Sequence, residues 1–309
     1  PAWSPVPRTI YALYHPAHIP GETKDVFFLP FHQHAELPLN HLGLRVEYLD
    51  ASRALPDPAT LADARGIAAW FPNAASFDNP RPVCAWLRRA AESGLRVALL
   101  GQLGLYMKGG PPFRMSSDCA ETLRVLGLQT RGAQPVDALA FSTAAYSSML
   151  GFERRPDASE EGLIHLSSLR PGGTAHLSLA YPGGEPAVVH AVGVTPAGGF
   201  ALDPFWFYSN TQLSPPREYW VTDPFSFFER AFSLQGLPRP DATTLNGRRL
   251  FMTRVDGDGF FNLSELDRKK TSGEVFLKEF VEAQPETPFT LAMIAGYYDL
   301  TLYDDEASL

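Results

Sequence analysis

The stretch Pro82–Leu100, PVCAWLRRAAESGLRVALL, changes its apolar period part-way along. From Pro82 to Ser93 the apolar residues Val83, Trp86, Leu87 and Ala90 recur at helical spacing, with Pro at the start and Gly94 placed to end the helix. From Leu95 to Leu100 the run LRVALL is almost continuously apolar, as in a strand buried on both faces. A helix that leads at once into such a strand is half of a β-α-β unit, so a parallel sheet covered on both sides is expected.

Three upstream runs have the same character: Thr9–Tyr14 (TIYALY), Leu44–Leu49 (LRVEYL) and Gly66–Phe71 (GIAAWF). The region from Arg8 to Leu128 is therefore expected to be an α/β domain built on a parallel sheet covered on both faces. Between Gly162 and Trp220 the pattern changes to HLSLAYPGG, EPAVVHAVGV and GGFALDPFWFY, short strands divided by Gly and Pro, which predict an antiparallel extension. Pro224–Ser233 is expected to be helical, and Gln235–Gly247 has the Pro, Gly, Asp and Asn density of a linker. Beyond it, Arg248–Val255, Gly273–Ala283 and Phe289–Ala295 predict a strand, a helix and a second strand. The resulting division is 1–234, a linker at 235–247, and 248–309.

Composition narrows the function. The chain has 309 residues, with 26 Lys and Arg against 34 Asp and Glu, a formal charge of −8 that argues against a nucleic-acid groove. Hydrophobic residues at 45% and charged residues at 19% suit a folded globular protein. No apolar run approaches the roughly 18 residues of a membrane-spanning helix, so no transmembrane segment is expected. The opening PAWSP has no signal-peptide pattern and suggests a mature chain or an excised fragment. Cys84 and Cys119 fall in two separate helices and are expected to be buried thiols; a disulfide between them is the alternative.

The sharpest local motif is Val255-Asp256-Gly257-Asp258-Gly259-Phe260 at the end of a predicted strand. Strand residues at i and i+2 point the same way, so Asp256 and Asp258 would leave the backbone on one face, at the sheet edge where α/β sites are assembled. One carboxylate can bind a divalent cation while the other takes a proton from an attacking water. The two aspartates capping a turn is the structural alternative. An EF-hand count puts Asp256, Asp258, Gly259 and Glu265 at loop positions 3, 5, 6 and 12, but position 1 would be Arg254, a cation facing Ca²⁺.

With these residues in place, the runs GGFALDPFWFY, WVTDPFSFFERAF, LNGRRLFMTRVDGDGFF and SGEVFLKEF resemble the PelA family of exopolysaccharide-modifying proteins, most clearly in DGDGF and the helix after it. The resemblance covers roughly the last third of the chain. It implies a middle domain of flavodoxin-like or class-I-amidotransferase-like fold, followed by the beginning of a (β/α) deacetylase barrel. By the same resemblance Asp256 is the catalytic base and Asp258 the metal ligand, an assignment that the intervening Gly257 leaves reversible. A divalent metal such as zinc is implied, held also by two histidines of an H-x-x-x-H motif. The eight histidines, His15, His18, His32, His34, His41, His165, His176 and His190, all precede the Asp pair. The sequence is therefore expected to stop short of that motif, and this chain alone is expected to be inactive, with the metal held only in the complete deacetylase. The implied setting is periplasmic, with an amino-sugar polysaccharide and other exopolysaccharide secretion proteins as partners. A non-catalytic scaffold or glycan-binding domain beside a catalytic one is the reading from another class.

Three further features bear on function. His15 and His18 in HPAH, with His32 and His34 in FHQH, bring four imidazoles toward a strand end and could bind Zn²⁺ or Ni²⁺, although capping or surface roles are the default. The segment after the first strand lacks a glycine-rich phosphate fingerprint, and Gln102 stands where a class-I amidotransferase carries its cysteine, so neither nucleotide nor amidotransfer chemistry is expected. The aromatic residues from Phe200 to Phe232 suit core packing, with a sugar platform as the alternative.

Overall fold

The computed structural model describes residues 6–22, 24–136, 141–157, 162–181, 187–210, 217–239, 253–292 and 294. The chain divides into two compact units, Pro1–Pro240 and Asp241–Leu309. Most of the predicted linker, 240–247, and the predicted strand residues 248–252, 293 and 295 lie outside the described residues.

The first unit is built on an eight-stranded mixed sheet. Strands β1 (Thr9–Tyr14), β2 (Arg45–Asp50), β3 (Ala64–Phe71) and β4 (Arg96–Gly101) run parallel. The others are β6 (Ser142–Tyr146), β8 (Thr174–Ala180), β9 (Val188–Thr195) and β10 (Gly198–Leu202), and the spatial order is β2-β1-β3-β4-β10-β9-β8-β6. Outside this sheet, β5 (Leu128–Val136) pairs antiparallel with β7 (Gly162–Leu169). Among the described residues its α-helices are α1 (Glu36–His41), α2 (Arg81–Glu92), α3 (Ser117–Val125) and α4 (Pro224–Ala231).

Alternation along each strand feeds two cores, one on either face of the sheet. Ile10, Ala12, Ala68, Trp70, Ala98 and Leu100 face α1 and α4, together with Phe227 and Phe228. Tyr11, Leu13, Ile67, Ala69, Phe71, Val97 and Leu99 face α2 and α3. The helices start where local chemistry satisfies their free N–H groups: Ser116 accepts from the Cys119 N–H, and Asp223 accepts from those of Phe225 and Ser226.

Two expectations need correction. The run GGFALDPFWFY is not one antiparallel strand. Its first part, β10, lies parallel to β4 and antiparallel to β9, so it joins the two halves of the sheet. The run then breaks at Asp203-Pro204, and Phe207–Asn210 forms β11 in a separate hairpin with β12 (Arg217–Trp220). The thiols are not free either. Cys84 on α2 and Cys119 on α3 form a disulfide, their Cα atoms 5.1 Å apart. The packing of α2 against α3 produces this proximity, helped by Thr122, whose hydroxyl donates to the Cys84 carbonyl at 3.0 Å. Helix spacing in sequence gives no access to such a distance.

In the second unit, β13 (Thr253–Asp256) and β14 (Phe289–Ala292) are parallel, and α5 (Ser272–Phe276) lies between them in sequence. The helix starts at a capping box in which Thr271 and Glu274 satisfy each other's backbone N–H groups. It is shorter than the predicted Gly273–Ala283 element, because its hydrogen bonding widens to a π-turn over Leu277–Val281.

Candidate functional site

In an open α/β sheet, ligands bind beyond the carboxyl ends of the parallel strands, at the point where strand order reverses. Here that point lies between β1 and β3. The chain fills it. A 3-10 turn, Pro16–His18, follows β1, with His15 accepting from the Ala17 N–H at 3.1 Å, and His18 meets Asn73, which follows β3, at 3.1 Å. Tyr14, Leu29, Pro30, Phe31, Tyr48 and Trp70 close around a residual cavity of about 10 Å³, room for one water molecule.

Of the four N-terminal histidines, His15 and His18 lie together, whereas His32 and His34 enter different surroundings. The His15 and His18 rings lie 5.3 Å apart, while His32 and His34 sit on a π-turn over Phe31–Ala35. His32 pairs with Glu36 at 2.6 Å, and that carboxylate also accepts from the Tyr48 hydroxyl at 2.5 Å. His34 lies 4.2 Å from the Phe207 ring, where burial lowers its pKa against the pull of Glu218 and Glu153. Among the described residues no three His, Cys, Asp or Glu side chains converge in a manner that could hold a metal ion.

The turn after β4 is tighter than sequence suggests. Gly101 and Gly104 have φ of +70° and +73°, and a Cβ on either would fall 2.6 Å from the Trp70 or Phe71 ring. Between them Leu103 holds φ +62°, a strained backbone for a branched side chain. The strained residue is thus Leu103, buried and without a nucleophile, rather than Gln102.

Gln102 instead ends a hydrogen-bonded chain. Its Oε1 lies 3.3 Å from His165 Nε2, and His165 Nδ1 lies 2.9 Å from the Tyr106 hydroxyl. Burial pushes the His165 pKa down to about 3, so the imidazole is neutral. The tautomer that satisfies both contacts has Nε2 donating to Gln102 and Nδ1 accepting from Tyr106.

One strand further along, Asp203 follows β10 and donates its backbone N–H to the Gly101 carbonyl at 3.1 Å. Its Oδ1 is sealed from water without a partner, and burial raises the carboxyl to about pKa 7 against the lowering effect of the Phe207 N–H. Neither His165 nor Asp203 was singled out from sequence. The legible signals were a lone His in the apolar run LIHL and an Asp at the carboxyl end of a strand.

In the second unit Asp256 ends β13, and the Gly257 N–H donates to the Ala292 carbonyl of β14 at 2.8 Å. Asp256 and Asp258 line one cavity of about 400 Å³ with Asn262, Ser264, Ser272 and Phe280. That volume lies within the range of small-ligand sites. Both aspartates are exposed, and Asp256 Oδ1 lies 3.6 Å from Arg254 Nη2.

Two carboxylates, one of them beside a guanidinium, do not make a complete zinc site, which takes three or four protein ligands. The described residues therefore do not fit a resident metal by themselves. A zinc titration of this chain is expected to show no submicromolar site, and a tight stoichiometric isotherm would overturn that conclusion.

No family model matches the chain, and no curated protein matches it. Among solved structures, a β-galactosidase from Rahnella sp. R3 is similar at a TM-score of 0.38 and 13% identity, over 77% of this chain and 34% of that one. The chain thus spans about a third of the length of that protein. These comparisons show no family membership. What stands is a mixed α/β chain in which, among the described residues, no helix is long and apolar enough to cross a membrane.

Proposed function

We propose that the chain is part of a polysaccharide N-deacetylase of the PelA type, with its amide-hydrolysing carboxylates in the second unit and a non-catalytic first unit. The observation that carries this reading is that Asp256 and Asp258 line a single cavity at the carboxyl end of a parallel strand. Asp256 is the candidate base, able to take the proton of a water that attacks an acetamide carbonyl, and Asp258 the candidate ligand. The cation that such an enzyme uses needs donors that the described residues do not supply, so the roles end there. In this reading the first unit is flavodoxin-like or amidotransferase-like and the second opens a (β/α) barrel.

A filled switch-point crevice, with buried Leu103 at the strained turn, favours a scaffolding or glycan-binding role for the first unit. The Cys84–Cys119 disulfide favours an oxidising compartment, in keeping with a periplasmic setting.

Acetate release from N-acetylated amino-sugar oligosaccharides by the natural full-length protein tests the assignment. Asp256→Asn and Asp258→Asn are each expected to lower the rate about 100-fold or more, the usual scale for a positioned acid or base. Gln102→Ala is expected to leave it within about twofold, since its side-chain oxygen meets His165 of the first unit. Wild-type rates in both aspartate variants would overturn the proposal.

A further inference from the structure

The amino edge of the parallel sheet carries an arginine at or beside the start of each of four neighbouring strands. Across the order β2-β1-β3-β4 these are Arg45, Arg8, Arg65 and Arg96. Arg8 immediately precedes β1, and its carbonyl accepts from the Arg45 N–H at 3.0 Å. Thr9 pairs with Ala64 and Ile10 with Gly66, so Arg65 is the extra residue of a bulge, and Arg96 stands beside Gly66.

The ends of two helices meet these side chains. Arg65 donates from Nε to the Phe232 carbonyl at 2.9 Å and from Nη2 to that of Ser233, and Arg96 Nη1 donates to the Ala231 carbonyl at 3.5 Å, all at the C-terminal end of α4. Arg8 Nη1 donates to the Gly43 carbonyl, just past α1, at 3.4 Å. Gly66 permits the close approach of α4, because a Cβ there would lie 2.7 Å from the Arg96 carbonyl and from the Phe232 ring.

Capping two helices does not require this much charge. Arg45 is neutralised by Asp63, 3.2 Å away. Among the described residues Arg8, Arg65 and Arg96 make no ion pair, and all three are half-buried. Burial, and then the charges of Arg96 and Arg8, lower the Arg65 pKa from its ordinary value, with no carboxylate acting against them. A helix C-terminus carries about half a negative charge, so two of them leave roughly two positive charges uncompensated. This excess stands on a chain whose formal charge is −8.

A phosphate group matches that excess. At neutral pH it carries a charge near −2 on several strong acceptor oxygens, which guanidinium N–H groups bind by charge-assisted hydrogen bonds. A carboxylate brings one charge and acceptors in a single plane, so it fits less well. We infer that Arg8, Arg65 and Arg96 form a binding site for a phosphate group, free or esterified, at the amino edge of the first unit's sheet. Both sources present the same oxygens, and the experiment separates them. The site belongs to the first unit and does not depend on the deacetylase reading.

Titration calorimetry of this chain with inorganic phosphate at constant ionic strength is the test, with glycerol 1-phosphate as the esterified probe and acetate as the single-charge control. Saturable binding of phosphate is expected, with acetate at least tenfold weaker. Competition by glycerol 1-phosphate identifies a site open to the esterified group, and failure to compete identifies the free ion as the ligand.

Arg8→Gln and Arg96→Gln are each expected to weaken phosphate binding about tenfold, the scale of one charge-assisted hydrogen bond. Both should keep or raise the Tm in chloride, because each removes a like charge. Arg124→Gln removes a cation paired with Glu121 on α3 and is expected to leave the affinity unchanged. No saturable phosphate binding, equal or tighter binding of acetate, or an equal loss in Arg124→Gln would overturn the inference. So would a lower Tm in chloride with unchanged phosphate affinity in the Arg8 and Arg96 variants, the result of arginines that only cap the helices.

Discussion

Replacing Cys84 and Cys119 together by alanine is expected to destabilise the first unit by about 4 kcal/mol, the chain-entropy value for a closed loop of roughly 35 residues. In a unit of this size that corresponds to a fall in Tm of roughly 10 °C. Both cysteines are fully buried, and the bond joins α2 to α3 directly before β5. Its loss should also loosen β5, and with it the β7 strand that carries His165. Urea midpoints of the oxidised, reduced and double-alanine proteins measure the effect. Titratable thiols in the native oxidised chain, or equal midpoints for all three, would show that the bond contributes nothing.

A comparable effect is expected from acid and base acting on two buried groups with opposite signs. His165 has a folded pKa of about 3, below its unfolded value of about 6.5, so its contribution is complete above pH 6.5 and is lost as pH falls toward 3. Asp203 has a folded pKa of about 7, above its unfolded value of about 3.9. Its contribution is complete below pH 3.9 and is lost as pH rises toward 7. Between about pH 4 and 6.5 the two slopes, each about 1.4 kcal/mol per pH unit, nearly cancel.

Removing one group uncovers the other. Relative to the native chain, His165→Gln is expected to make stability fall with rising pH across that interval, and Asp203→Asn to make it rise. At pH 8 Asp203→Asn should be the more stable protein by up to about 4 kcal/mol, since an amide never ionises in that sealed position. Urea unfolding at half-unit steps from pH 4 to 8 measures all three proteins. Parallel stability curves would mean that neither side chain titrates where its burial places it.

The covered strands were legible because their burial is written locally. Thr9–Tyr14 forms as expected, and β3 and β4 differ from their predicted bounds by no more than two residues, since a strand covered on both faces has to be an apolar run. Helix α2 was equally plain, with one apolar stripe and a glycine stop. The capping box at Thr271 and Glu274 was readable in the same way, yet the expected helix start at Gly273 falls one residue too late. Asp256 and Asp258 line one cavity, but β13 ends at Asp256 and Asp258 lies in the turn beyond it, so strand period alone does not place the second carboxylate.

Residue order alone established an acidic α/β chain, its parallel strands and a carboxylate pair at a strand end, because each of these depends on neighbours within a few positions. Folding decided the rest. It set β10 beside β4, joined Cys84 to Cys119, put His34 against Phe207, and buried His165 and the Oδ1 of Asp203. Those outcomes depend on distances between residues far apart in the chain and on the solvent that packing excludes, and neither quantity is carried by a local pattern of residue types.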